Sequence, residues 1–113
     1  MSLIDVKQDR GVTVVDLLMK RLDASVAVPF KEALLEIVRA GNSRVVLDMS
    51  GVEFVDSSGL GSLVSILKAV GSQGVLAVCG LRPTVHSLFK LTRMDKVFAL
   101  YATSPDAVLQ MAS

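Results

Sequence analysis

Apolar positions change their period several times along this chain, and each change marks an element. Leu3 to Gln8 alternates weakly and reads as an edge strand, Asp9-Arg10-Gly11 is a turn signal, and Val12 to Met19 is rich in β-branched and aliphatic residues. Together they predict an opening hairpin, ended by Lys20-Arg21-Leu22-Asp23. Asp23 and Ser25 are candidate helix caps, and Pro29 suits a first helical turn, where its missing N–H costs nothing. From Phe30, the positions Ala33, Leu34, Ile37 and Val38 recur at helical spacing until Gly41. Arg44 to Met49 is apolar without clean alternation, as expected of a strand buried on both faces. Ser50-Gly51 interrupts it, and Val52, Phe54 and Val55 lead into Asp56-Ser57-Ser58-Gly59-Leu60-Gly61.

The second half repeats the alternation of types. Leu60, Leu63, Val64, Leu67 and Val70 form one helical stripe, widened by Ile66 and ended by Gly71 and Gly74. Val75 to Cys79 is the next buried strand. Gly80-Leu81-Arg82-Pro83 turns into a helix whose apolar face is Val85, Leu88, Phe89 and Leu91. Val97 to Tyr101 is a last strand. Thr103 or Ser104 caps a closing helix, with Pro105 in its first turn and Ala107, Val108 and Met111 facing inward. The predicted order is β-β-α-β-α-β-α-β-α, an α/β fold. Its β-α-β units require parallel neighbours and right-handed crossovers, and the hairpin adds one antiparallel pair.

Composition narrows the function classes. With 113 residues, 51% of them hydrophobic, residues 1–113 make one domain with a sizeable core, and at 4% aromatic residues that core is aliphatic. The net charge is +1, with Lys and Arg scattered, so there is no basic stripe for nucleic acid and no polybasic cluster for a membrane surface. No apolar run approaches the roughly 18 residues of a membrane span, and the first residues do not read as a signal peptide. The one cysteine, Cys79, lies in a strand-like run and reads as a buried thiol. A reducing cytoplasm is expected.

The chemistry concentrates at the strand-to-helix junction of residues 56–61. A helix start needs caps for its orphan N–H groups, and serine is a preferred cap; Gly59 and Gly61 would allow tight packing against the sheet. The same geometry orients a phosphate, because free N–H groups and the positive end of the helix dipole face it. A phosphate on Ser57 adds about −1.5 to −2 charge without requiring a change of fold, and Asp56 beside it makes the patch more negative. A nucleophilic serine fits less well. The leading glycine of Gly-x-Ser-x-Gly is absent, and the single histidine, His86, falls in a different helix. Gly59-x-Gly61 is a poor phosphate-cradling loop, and no cluster has metal-ligand spacing.

The chain resembles the STAS-domain anti-sigma factor antagonists of bacteria. The likeness is carried by Val45-Val46-Leu47-Asp48, Val55-Asp56-Ser57-Ser58-Gly59-Leu60-Gly61, Gly80-Leu81-Arg82-Pro83 and Leu91-Thr92-Arg93-Met94-Asp95-Lys96-Val97-Phe98, with Leu22-Asp23 after the second strand. It runs over essentially the whole chain. The resemblance implies a mixed β-sheet with about four helices packed mainly on one face, and no bound cofactor. It implies that Ser57 is phosphorylated by a serine kinase of histidine-kinase-like fold, which is also the anti-sigma factor. The unphosphorylated form then binds that kinase and releases the sigma factor, and a PP2C-type phosphatase reverses the modification. Asp23, Asp56, Ser58, Gly59, Leu60 and Gly61 are the expected partner-binding residues.

Two positions depart from the family pattern, Lys20 and Arg93, where glycine is frequent. Lys20 bears on the partner-facing loop, whereas Arg93 reads as a changed helix ending. A second reading is a non-phosphorylated STAS subunit of a lipid-transport ATPase, and a third is an enzyme with a Ser57 nucleophile. A monomer is expected, with a dimer through an exposed sheet edge or helix face as the alternative.

Overall fold

The opening hairpin sets the frame. In the computed structural model, which describes residues 2–112, β1 (Ile4–Asp9) pairs antiparallel with β2 (Val12–Leu17) through the two-residue loop Arg10-Gly11. Both loop residues have positive φ, +53° and +81°. Such a turn carries the right-handed twist of the flanking strands. A two-residue strand, β3 (Arg21–Leu22), follows, and then helix α1 (Ala27–Arg39). Four more elements bring the chain to its middle: β4 (Arg44–Asp48), β5 (Phe54–Val55), α2 (Ser57–Val70) and β6 (Val75–Cys79). Helix α3 (Pro83–Leu91), β7 (Ala99–Tyr101) and helix α4 (Ser104–Met111) complete it.

The main sheet has the order β1-β2-β4-β6-β7, parallel except at β1. This is the expected mixed α/β sheet. Side-chain alternation sorts the strands into two layers. Val15, Leu17, Val45, Leu47, Leu76 and Val78 face a layer of helices that supplies Phe30 and Leu34 from α1, Leu63 and Ile66 from α2, and Val85 and Phe89 from α3. Val12, Val14, Val46, Ala77 and Cys79 face α4 alone, through Ala107, Val108 and Met111. Both faces of β4 are therefore covered, which is why its sequence shows no alternation. Each large aliphatic side chain so buried contributes about 1.5–3 kcal/mol.

Four local expectations require correction. Asp23 and Ser25 do not cap α1: its N-cap is Val26, which makes no side-chain capping bond. The Asp23 carbonyl instead accepts from the N–H groups of Val26 and Ala27, at 3.0 and 2.9 Å. Leu91 is 82% exposed and does not belong to the apolar face of α3. The last strand begins at Ala99, because a 3-10 turn at Met94–Lys96 takes up the preceding chain and Val97 points outward. Only Phe98 of that stretch is buried, against Phe89, with ring centroids 5.7 Å apart. Finally, β3 and β5 form a separate parallel pair, Arg21 with Phe54 and Leu22 with Val55, where the sequence pattern showed only the end of a strand and a lead-in. That pair brings the chain after the hairpin beside the start of α2.

Candidate functional site

The start of α2 is built from two chain segments, its own first turn and the stretch that follows the hairpin. Its N-cap is Asp56, in extended conformation, and the Gly59 N–H donates to Asp56 Oδ1 at 2.8 Å. The capping role expected of a serine thus belongs to the aspartate. Ser57 and Ser58 occupy the first two helical positions, and both are exposed. Neither hydroxyl has a hydrogen-bond partner among the described residues, and neither do the two backbone N–H groups. The second carboxylate oxygen of Asp56 reaches another loop, accepting from the Ala24 N–H at 3.1 Å.

Gly59 explains how the segments come so close. A Cβ placed on it would stand 2.1 Å from the Leu22 carbonyl oxygen, so only glycine lets the helix start lie against β3. The Asp56 N–H donates to that same Leu22 carbonyl at 3.2 Å. Gly61 is different: a Cβ there meets nothing within 4 Å, so the expected tight packing holds for Gly59 and not for Gly61. Gly61 instead lines an open groove of about 350 Å3 between α1 and α2, with Ala27, Val28, Lys31, Ser58 and Ser65. Leu60 is half-buried and packs on the main core. Ser62 was not expected to matter; it is buried, and its hydroxyl donates back to the Gly59 carbonyl at 2.6 Å.

Asp23 lies on the loop held by Asp56. Its Oδ1 accepts from the Ser25 N–H and hydroxyl, at 3.1 and 2.5 Å, and its Oδ2 accepts from Arg21 Nε at 3.4 Å. The Ser25 hydroxyl, and then its amide and the Arg21 guanidinium, hold the Asp23 carboxyl below the ordinary carboxylate value. Arg21 also stacks over the Phe54 ring, 4.2 Å from its centroid. The structure therefore gathers Asp23, Asp56, Ser57 and Ser58 at one end of the molecule, with Gly59 buried beneath them and Gly61 one turn along.

A family model described as the STAS domain matches residues 4–107. The chain belongs to the STAS domain family. An anti-sigma F factor antagonist of Paenibacillus polymyxa is 30% identical to it over 112 residues, 96% of this chain and 93% of that protein. Two solved structures superpose over 97% of it. An anti-sigma-factor antagonist (STAS) domain protein from Planctomyces limnophilus does so with TM-score 0.88, 31% identity and 98% of its own chain covered. An anti-sigma factor antagonist from Mycobacterium paratuberculosis does so with TM-score 0.89, 29% identity and 93% covered.

Against this STAS frame the two departures acquire geometry. Lys20 is exposed, and its backbone carbonyl accepts from the N–H groups of Glu53 and Phe54 at 2.7 and 3.3 Å, so the site-forming loop is anchored through main chain that any residue supplies. Arg93 has a left-handed backbone, φ +62°, just past the end of α3, where a glycine would sit without strain. Its N–H donates to the Lys90 carbonyl at 3.2 Å. Cys79 is buried, and burial, then Asp48 and Asp16, push its thiol up to about 12, which keeps it unreactive. Among the described residues no helix is long and apolar enough to cross a membrane, and no group of His, Cys, Asp and Glu could hold a metal ion.

Proposed function

We propose that this STAS domain is a cytoplasmic anti-sigma factor antagonist that works by partner switching through Ser57. In the unphosphorylated form it binds and sequesters an anti-sigma factor that is itself a serine kinase. Phosphorylation of Ser57 abolishes that binding, and a PP2C-type phosphatase restores it. The observation that carries this reading is the Ser57 hydroxyl: exposed, at the first position of a helix, and without a hydrogen-bond partner among the described residues, Asp56 being the cap.

The chemistry follows from that placement. The Ser57 oxygen attacks the γ-phosphorus of ATP held by the kinase, the bond to the β-phosphate oxygen breaks, ADP leaves, and the serine proton passes to a base of the kinase. The product anion meets the positive end of α2 and the free N–H groups of Ser57 and Ser58, so the fold tolerates it. A partner surface shaped to bury a neutral hydroxyl does not. It faces a desolvation cost of several kcal/mol and the clash of a group with three new oxygens. The name of the Paenibacillus polymyxa relative supports the broader role of anti-sigma factor antagonist.

The test uses the serine kinase of histidine-kinase-like fold from the same organism. Incubation with ATP is expected to add one phosphate, at Ser57. Ser57→Ala stays bound to the kinase whether or not ATP is present. An ATPase subunit of a transporter as the bound partner, with no phosphate acquired, would overturn the proposal.

A further inference from the structure

We infer, building on the partner-switching reading above, that Asp56 is a positioning residue: it latches the Asp23 loop to the start of α2, and partner affinity runs through that latch. A helix cap needs one acceptor, and Asn, Asp and Ser serve about equally well. Asp56 supplies two, each used by a different element: Oδ1 by the Gly59 N–H of α2 and Oδ2 by the Ala24 N–H of the loop. Among the described residues, the Ala24 bond is the only hydrogen bond from residues 23–26 to a distant part of the chain. The others are local, among Arg21, Asp23, Ser25, Val26, Ala27 and Phe30. Ala24 and Ser25 are exposed, so apolar packing does not hold the tip of the loop.

The latch has a chemical signature that the cap lacks. An asparagine at 56 can keep its carbonyl oxygen on the Gly59 N–H, but its NH2 then faces the Ala24 N–H, donor against donor. A serine has one oxygen and can serve only the cap. Asp56→Asn and Asp56→Ser therefore separate the two functions while keeping α2 capped.

Hydrogen exchange by NMR and steady-state phosphorylation by the partner kinase read the two consequences. In both variants the Gly59 amide is expected to stay protected, while the Ala24 to Val26 amides exchange about tenfold faster, the order of one lost hydrogen bond to a charged group. The KM for this chain as kinase substrate is expected to rise about tenfold, with kcat within about twofold, because Ser57 keeps its place on α2. Unchanged exchange at Ala24 overturns the latch. An unchanged KM despite a loosened loop overturns its role in affinity, and a fall in kcat at constant KM assigns Asp56 to the phosphoacceptor itself. Absence of any wild-type phosphorylation would sink the partner-switching reading instead, and the exchange data would then decide the latch alone.

Discussion

Helices α2 and α4 both begin with a serine immediately after a capping residue, and the surroundings of the two serines diverge from there. Ser57 follows Asp56, stands exposed, and its helix start has two N–H groups with no partner among the described residues. Ser104 follows Thr103, whose hydroxyl accepts from the Asp106 N–H at 3.2 Å. Pro105 removes the next donor, and Asp106 puts a carboxylate in the first turn. Ser104 is half-buried and lines a small cleft of about 100 Å3 with Asp5, Lys7, Asp16 and Asp48. Burial, then Asp48 and Asp5, raise the Asp16 carboxyl above its ordinary value, so this end of the sheet already resists negative charge. A helix start alone does not offer room for a phosphate; exposure and free donors distinguish Ser57 from Ser104.

The largest effect expected from breaking this contrast is steric. Gly59→Ala forces a methyl against the Leu22 carbonyl and should lower stability by about 2–3 kcal/mol in urea unfolding. Gly61→Ala, two residues on in the same helix, has open space and should gain about 0.5–1 kcal/mol. If both glycines behave alike, the close approach of α2 to β3 is wrong.

Truncating the caps comes next. Asp56→Ala loses two acceptor contacts and should cost about 2 kcal/mol, against about 1 kcal/mol for Thr103→Ala. Equal costs would mean that the bond to Ala24 contributes nothing.

The smallest effects are electrostatic and opposite in sign. The folded-state pKa of Asp16 lies above its unfolded value, so ionised Asp16 destabilises the fold near neutrality, and that cost disappears as pH falls through the raised pKa. Asp16→Asn should therefore melt higher than wild type at neutral pH, with the gap closing in acid. Asp23 has a lowered pKa, so its contribution is present above the ordinary aspartate range and is lost as pH falls through the lowered value. Asp23→Asn should melt lower at neutral pH and converge with wild type only at the acid end.

The long-period features of this fold were readable from residue order alone. The stripe of α2, the hairpin around Arg10-Gly11 and the inward Ala107, Val108 and Met111 of α4 all stand where their spacing put them. What escaped was short or tertiary. β3 and β5 have two residues each, too few for any period, and they lie where Gly59 lets α2 approach Leu22. Leu91 continues a helical count but falls beyond the edge of the buried face. At the candidate site, the exposed Ser57 was legible from its junction. The assignment of the cap to Asp56 and the empty space at Gly61 were not, since Asp, Ser and Gly all suit a helix start and only the neighbouring loop distinguishes them.

The central claim is that charge at the first position of α2, and not a change of fold, turns binding off. It is tested most directly by titrating the proposed partner kinase with wild type, Ser57→Asp and Ser104→Asp, each checked for cooperative melting. Ser57→Asp should fold with wild-type stability, since an acidic residue suits the start of a helix, and lose at least about 100-fold in affinity. Ser104→Asp should bind as wild type does, whatever its stability. A folded Ser57→Asp that binds like wild type would contradict the account.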